Sequence, residues 1–94
     1  MLANPIVMTT QISVLPNPFI STLSFEVVVP VNETTIVRMT DENQKIIRLL
    51  RWTLKRGTNK TSIDDLQTLP AGDYFIDIKN MEGEHLFNTR LVKL

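Results

Sequence analysis

Apolar and polar residues alternate along most of this chain with a period of two. Leu23, Phe25, Val27 and Val29 are separated by Ser24, Glu26 and Val28, the pattern of a strand with one face buried. The period returns at residues 73–79, where Tyr74, Ile76 and Ile78 share one face and Asp73, Phe75, Asp77 and Lys79 the other. Residues 11–15, 34–40, 58–64 and 84–93 read as further short strands, rich in β-branched or alternating side chains. Turn chemistry punctuates them: Pro16-Asn17-Pro18, Pro30 to Glu33, Asp41-Glu42-Asn43, Leu69-Pro70-Ala71-Gly72 and Glu82-Gly83. The two prolines around Asn17 each fix φ and push the residue before them towards extended geometry, which predicts a rigid corner.

Residues 44–56 are ambiguous. Ile46, Ile47, Leu50 and Leu54 recur at helical spacing, Asp41 could cap a helix, and Lys55, Arg56 and Gly57 suit its end. The neighbouring segments all read as strands, which favours a strand with irregular alternation. Counting that segment, about seven short strands with turns every ~8–12 residues predict an all-β, immunoglobulin-like sandwich of antiparallel strands. Its core is expected to include Leu23, Phe25, Val27, Val37, Trp52, Ile63, Leu69, Tyr74, Ile76, Ile78, Phe87 and Leu91. Gly72 allows a sharp turn before its strand. Tyr74, two residues on, can bury its ring and bond its hydroxyl back to the corner backbone, as in the tyrosine corner of immunoglobulin-like domains.

Composition narrows the possibilities. The 94 residues suffice for one domain with one core, and 43% hydrophobic with 21% charged residues is ordinary for a folded chain. Residues 1–11, broken by Asn4-Pro5, read as a linker or loose N-terminal segment ahead of a domain at 12–94. Ten basic and ten acidic residues cancel, so no nucleic-acid partner is expected from net charge. There is no cysteine, hence no disulfide and no thiolate chemistry. No apolar run approaches the ~18 residues of a membrane span, and residues 1–10 lack the basic and apolar regions of a signal peptide. Export of such a domain would need a signal peptide upstream in a longer parent.

The order of motifs resembles the type A C-terminal sorting domain of the type IX (Por) secretion system. That family opens with a Pro-Asn-Pro segment, here Val14-Leu15-Pro16-Asn17-Pro18-Phe19, followed by an alternating strand, here 23–29. An Asp-x-x-Gly turn, an apolar strand, a Gly-x-Asn and an Ile-Asp-Leu come next. Their counterparts are Asp41 to Lys45, Ile46 to Trp52, Gly57-Thr58-Asn59 and Ile63-Asp64-Asp65-Leu66. Leu-Pro-Ala-Gly-x-Tyr is matched from Leu69 to Tyr74, and the basic and aliphatic tail by Arg90-Leu91-Val92-Lys93-Leu94. One departure is that Asn43 or Gln44 stands where the turn usually has glycine. The resemblance covers about residues 12–94 and makes 44–53 a strand.

The resemblance implies a non-catalytic secretion signal at the C-terminus of a larger cargo protein of Bacteroidetes-type bacteria. Such cargo reaches the cell surface, or is secreted, through the periplasm and outer membrane. The implied partners are the outer-membrane translocon, a sortase-like protease and the upstream cargo domain of the same parent chain. No cofactor is implied. In the family the terminal strand matters most for export, which makes Arg90, Lys93 and Leu94 the recognition candidates. The end of a chain needs no such side chains for folding. Pro16, Asn17, Pro18, Leu69, Pro70, Gly72 and Tyr74 are expected to be structural members of the family signature. The competing reading is an adhesive or carbohydrate-binding module of a surface protein that shares only the architecture.

Other motifs carry less. The basic stretch from Lys45 to Lys60 reads as a solvated face, and His85, the only histidine, as an exposed strand residue with no metal-ligand partner. Asp64 and Asp65 are adjacent, so a strand would send them to opposite faces rather than pair them. Asn32-Glu33-Thr34 and Asn59-Lys60-Thr61 match the glycosylation pattern, a short motif that often arises by chance. No phosphate loop or catalytic triad is present in the sequence.

Overall fold

In the computed structural model, which describes residues 9–94, the alternating segments become seven strands and, among the described residues, no helix forms. They are β1 (Gln11–Leu15), β2 (Leu23–Val29), β3 (Glu33–Thr40), β4 (Ile46–Leu54), β5 (Gly57–Ile63), β6 (Gly72–Asn80) and β7 (His85–Lys93). One sheet runs β1-β2-β5 and the other β4-β3-β6-β7, with every strand pair antiparallel. Of the segment read as a linker, residues 1–8 lie outside the described residues, and Gln11 already belongs to β1.

The period-two faces meet between the sheets. Leu23, Phe25 and Ile63 from one sheet pack with Val37, Met39, Tyr74, Ile76, Ile78 and Leu91 from the other. A smaller cluster of Val27, Val29 and Leu54 fills the opposite part of the core, with Ile12 and Trp52 against it. Trp52, Leu69 and Phe87, expected in the core, line it half-buried. Phe19, Met39 and Leu66, absent from that expectation, are fully buried.

Strand β4 settles the ambiguous segment. Leu50, Trp52 and Leu54 face the core opposite Val37, Thr35 and Glu33, in strand register. A register shift between Met39 and Thr40 accounts for the irregular apolar spacing that imitates a helix. From β4 the chain crosses to the other sheet over Lys55 and Arg56 alone, and two asparagines make so short a crossing possible. Asn59 accepts the Lys55 amide at 2.9 Å and donates to the Lys55 carbonyl at 2.8 Å, while Asn32 accepts the Arg56 amide at 2.8 Å. The two glycosylation-like motifs are therefore built around turn-closing asparagines. Asp64 and Asp65 are not in a strand, since β5 ends at Ile63; both are exposed in the following loop.

Candidate functional site

Three signatures far apart in sequence meet at one end of the sandwich: the Pro-Asn-Pro corner, the 69–74 corner and the end of β7. The chain leaves β1 through Pro16-Asn17-Pro18, where both X-Pro bonds are cis, and comes alongside the end of β7. The Asn17 side-chain oxygen accepts the Val92 amide at 2.9 Å. Phe19 then donates its amide to the Val92 carbonyl at 2.9 Å and accepts the Leu94 amide at 3.0 Å. These bonds form an isolated parallel bridge between Phe19 and Lys93. Strand β7 therefore ends clasped between β6 on one side and residues 17–19 on the other.

Phe19 also ties the clasp to the second corner. Its ring is fully buried and meets Tyr74 edge-on, with centroids 5.9 Å apart. Tyr74 is buried at the start of β6, and its hydroxyl donates to the Pro70 carbonyl at 2.7 Å. Gly72 opens β6 at φ 146°, a conformation that glycine alone adopts readily, and it pairs with Lys93. Burial, and then the Asp41 and Glu42 carboxylates, push the Tyr74 hydroxyl above its ordinary pKa. Glu42 reaches the same corner, accepting the Asp73 amide at 3.3 Å.

The recognition candidates separate into two kinds. Lys93 is only 5% exposed: it is the last core-facing position of β7, following Phe87, Thr89 and Leu91, and its ammonium donates to the Leu94 carbonyl at 2.8 Å. Its side chain therefore has a place in the folded structure that its terminal position does not suggest. Leu94 is 64% exposed. With Pro16, Pro18 and Ile20 it borders a shallow apolar depression on the surface. Arg90 projects to solvent 4.0 Å from Asp73, a pair worth little at such exposure. Pro16, Asn17, Pro18 and Pro70 are exposed, whereas Leu69 is half-buried.

Sequence reasoning missed Phe19 and the backbone of Val92 as parts of this end. A phenylalanine directly after a proline corner signals an anchor, but only the register shows what it anchors to. It also missed a polar cluster on the outer face of the larger sheet. Asp77, 5% exposed, lies 2.7 Å from His85 and 3.6 Å from Arg38, its register partner on β3. His85 itself is exposed, as expected of it. The basic stretch is exposed except at Arg48, which turns inward to the Ile47 and Asp65 carbonyls. Among the described residues no group of acidic and histidine side chains is arranged to hold a metal ion, and no helix is long and apolar enough to cross a membrane.

Comparison with known families finds one model, described as the secretion system C-terminal sorting domain, matching residues 13–93. Comparison with curated proteins finds no match.

Proposed function

The chain belongs to the family of type IX secretion system C-terminal sorting domains, and from that premise we propose that it is the non-catalytic address of a larger cargo protein, read at the clasped end of the sandwich. Domains of this kind work with the secretion machinery and a cargo chain, and lead to the surface or the medium. In our reading the translocon recognises the end of β7 as the folded domain presents it, before the sortase-like protease acts on the cargo.

One observation supports this placement above the others. The Pro-Asn-Pro corner, the 69–74 corner and the tail, separated by up to 75 residues, are joined by direct hydrogen bonds and a ring contact at a single end. Such convergence gives the tail a fixed geometry, and a recognised signal benefits from that because less ordering is lost on binding. Leu94 supplies the exposed apolar contact, and Lys93 holds its carbonyl in place.

The test is a periplasm-targeted fluorescent reporter carrying the chain at its C-terminus, expressed with and without a functional type IX translocon. Reporter at the surface only where the translocon works supports the reading. Retention in the periplasm of both strains, with the domain folded, transfers support to the adhesive or carbohydrate-binding module.

A further inference from the structure

We infer that Asn17 is a positioning residue for the sorting signal, holding the last residues of β7 in the form that the export machinery reads. The inference rests on the sorting reading above and extends it to a side chain 75 positions from the amide that it holds. Among the described residues, strand β7 has a strand neighbour on one side only, β6. On its other side, among the described residues, the backbone bonds come from Phe19, at Val92 and Leu94. Phe19 is held by burial of its ring and by contact with Tyr74. The Val92 amide lies outside that bridge, and its acceptor is the Asn17 side chain. The side-chain oxygen thus continues the ladder one step beyond the backbone bridge, supplying the acceptor for the Val92 amide.

Asn17 is itself exposed and lies outside the core, so its side chain is dispensable to packing. Among the described residues, its side-chain hydrogen bond ends on the tail. Without that acceptor the Val92 amide is released to water, and on that side the tail keeps the Phe19 bonds while its pairing with β6 at Gly72 and Asp73 remains. The terminal residues then fray locally while the sandwich stays folded. A signal read as an ordered strand end loses affinity by the fraction of time it spends frayed.

The experiment compares Asn17→Ala, Asn17→Leu and Asn17→Asp with the unaltered chain. Leucine keeps the approximate size without the acceptor, and aspartate keeps the acceptor. Amide exchange by NMR is followed at Val92, at Leu94 and at the core residues Val37 and Ile76, and the same variants are fused to the exported reporter. The expected result is exchange about tenfold faster at Val92 and Leu94 for the alanine and leucine variants, with core amides unchanged. Surface reporter should fall with it, and the aspartate variant should keep both protection and export. Unchanged exchange at Val92 in both acceptor-free variants overturns the clasp. Faster exchange with undiminished export overturns its role in sorting. If the unaltered chain fails to export the reporter at all, the sorting reading itself fails, and the exchange data still report on the clasp.

Discussion

Asp41 and Asn80 hold the same position in two turns of one design. Asp41 accepts the amides of Asn43 and Lys45 at 2.8 and 2.9 Å, and Asn80 those of Glu82 and Glu84 at 3.1 and 2.9 Å. In each turn the fourth residue donates back to the first, Gln44 to Asp41 and Gly83 to Asn80, both at 3.1 Å. Each turn follows a register shift, after Met39 in one hairpin and after Ile78 in the other. The short side-chain acceptor gathers amides that the tight turn withdraws from the ladder.

The shared design makes opposite predictions at its fourth position. Gln44 has φ 64° and Gly83 φ 85°, where a side chain is disfavoured. A side chain at Gly83 would meet nothing within 4 Å, so the cost there is conformational alone. Gln44→Gly should stabilise the domain and Gly83→Ala destabilise it, each by about 1 kcal/mol. Thermal melts should show Tm shifts of roughly 4–8 °C in opposite directions.

Tyr74 serves the fold through both its ring and its hydroxyl. Tyr74→Phe keeps the contact with Phe19 but leaves the Pro70 carbonyl without its partner, a loss of about 1–2 kcal/mol. Tyr74→Ala also opens the core and should cost about 3–5 kcal/mol. Urea unfolding curves of the two variants should differ by that margin. Equal midpoints would show that the ring is not packed as described.

The same residue sets a dependence on pH. Burial raises the Tyr74 pKa above 10.0, with Asp41 and Glu42 adding to it. A phenol that holds its proton more tightly when folded contributes its full stability below the unfolded value. That contribution is lost as pH rises through the folded value. The stability advantage of the unaltered chain over Tyr74→Phe should therefore be constant up to about pH 10 and shrink above it. Tyr74 is the only tyrosine, so tyrosinate absorbance follows it directly.

Folding and recognition should separate at the tail. Lys93 is buried and Leu94 exposed. Lys93→Ala removes a packed stem and should destabilise by about 1–2 kcal/mol. Leu94→Ser should stay within about 0.5 kcal/mol of the unaltered chain while lowering export of a fused reporter. Chemical denaturation run beside the export assay reads both effects.

Much of this structure is legible in the sequence because its strands declare themselves by period two. Residues 23–29 and 73–79 show it plainly, and Gly72 with Tyr74 announces the corner through the backbone freedom of one and the hydroxyl of the other. Local pattern fails at β4, where the register shift beside Thr40 converts strand alternation into helical spacing. There the motif order of the family decides what periodicity cannot. The Asp77, Arg38 and His85 cluster depends on which residues face each other across strands, which a single chain does not display. Lys93 is hidden for the same reason: its burial follows from pairing with Gly72 and bridging to Phe19, partners 21 and 74 positions away by their numbers.

The most direct measurement compares the surface display of a periplasm-targeted reporter carrying the intact chain with that of one lacking Lys93 and Leu94. Circular dichroism must show that both domains are folded. A sorting signal read at the clasped end predicts reporter at the surface with the intact tail and retained in the periplasm without it. Equal surface display of both would place the signal elsewhere on the domain, and retention of both would contradict the sorting role of this chain.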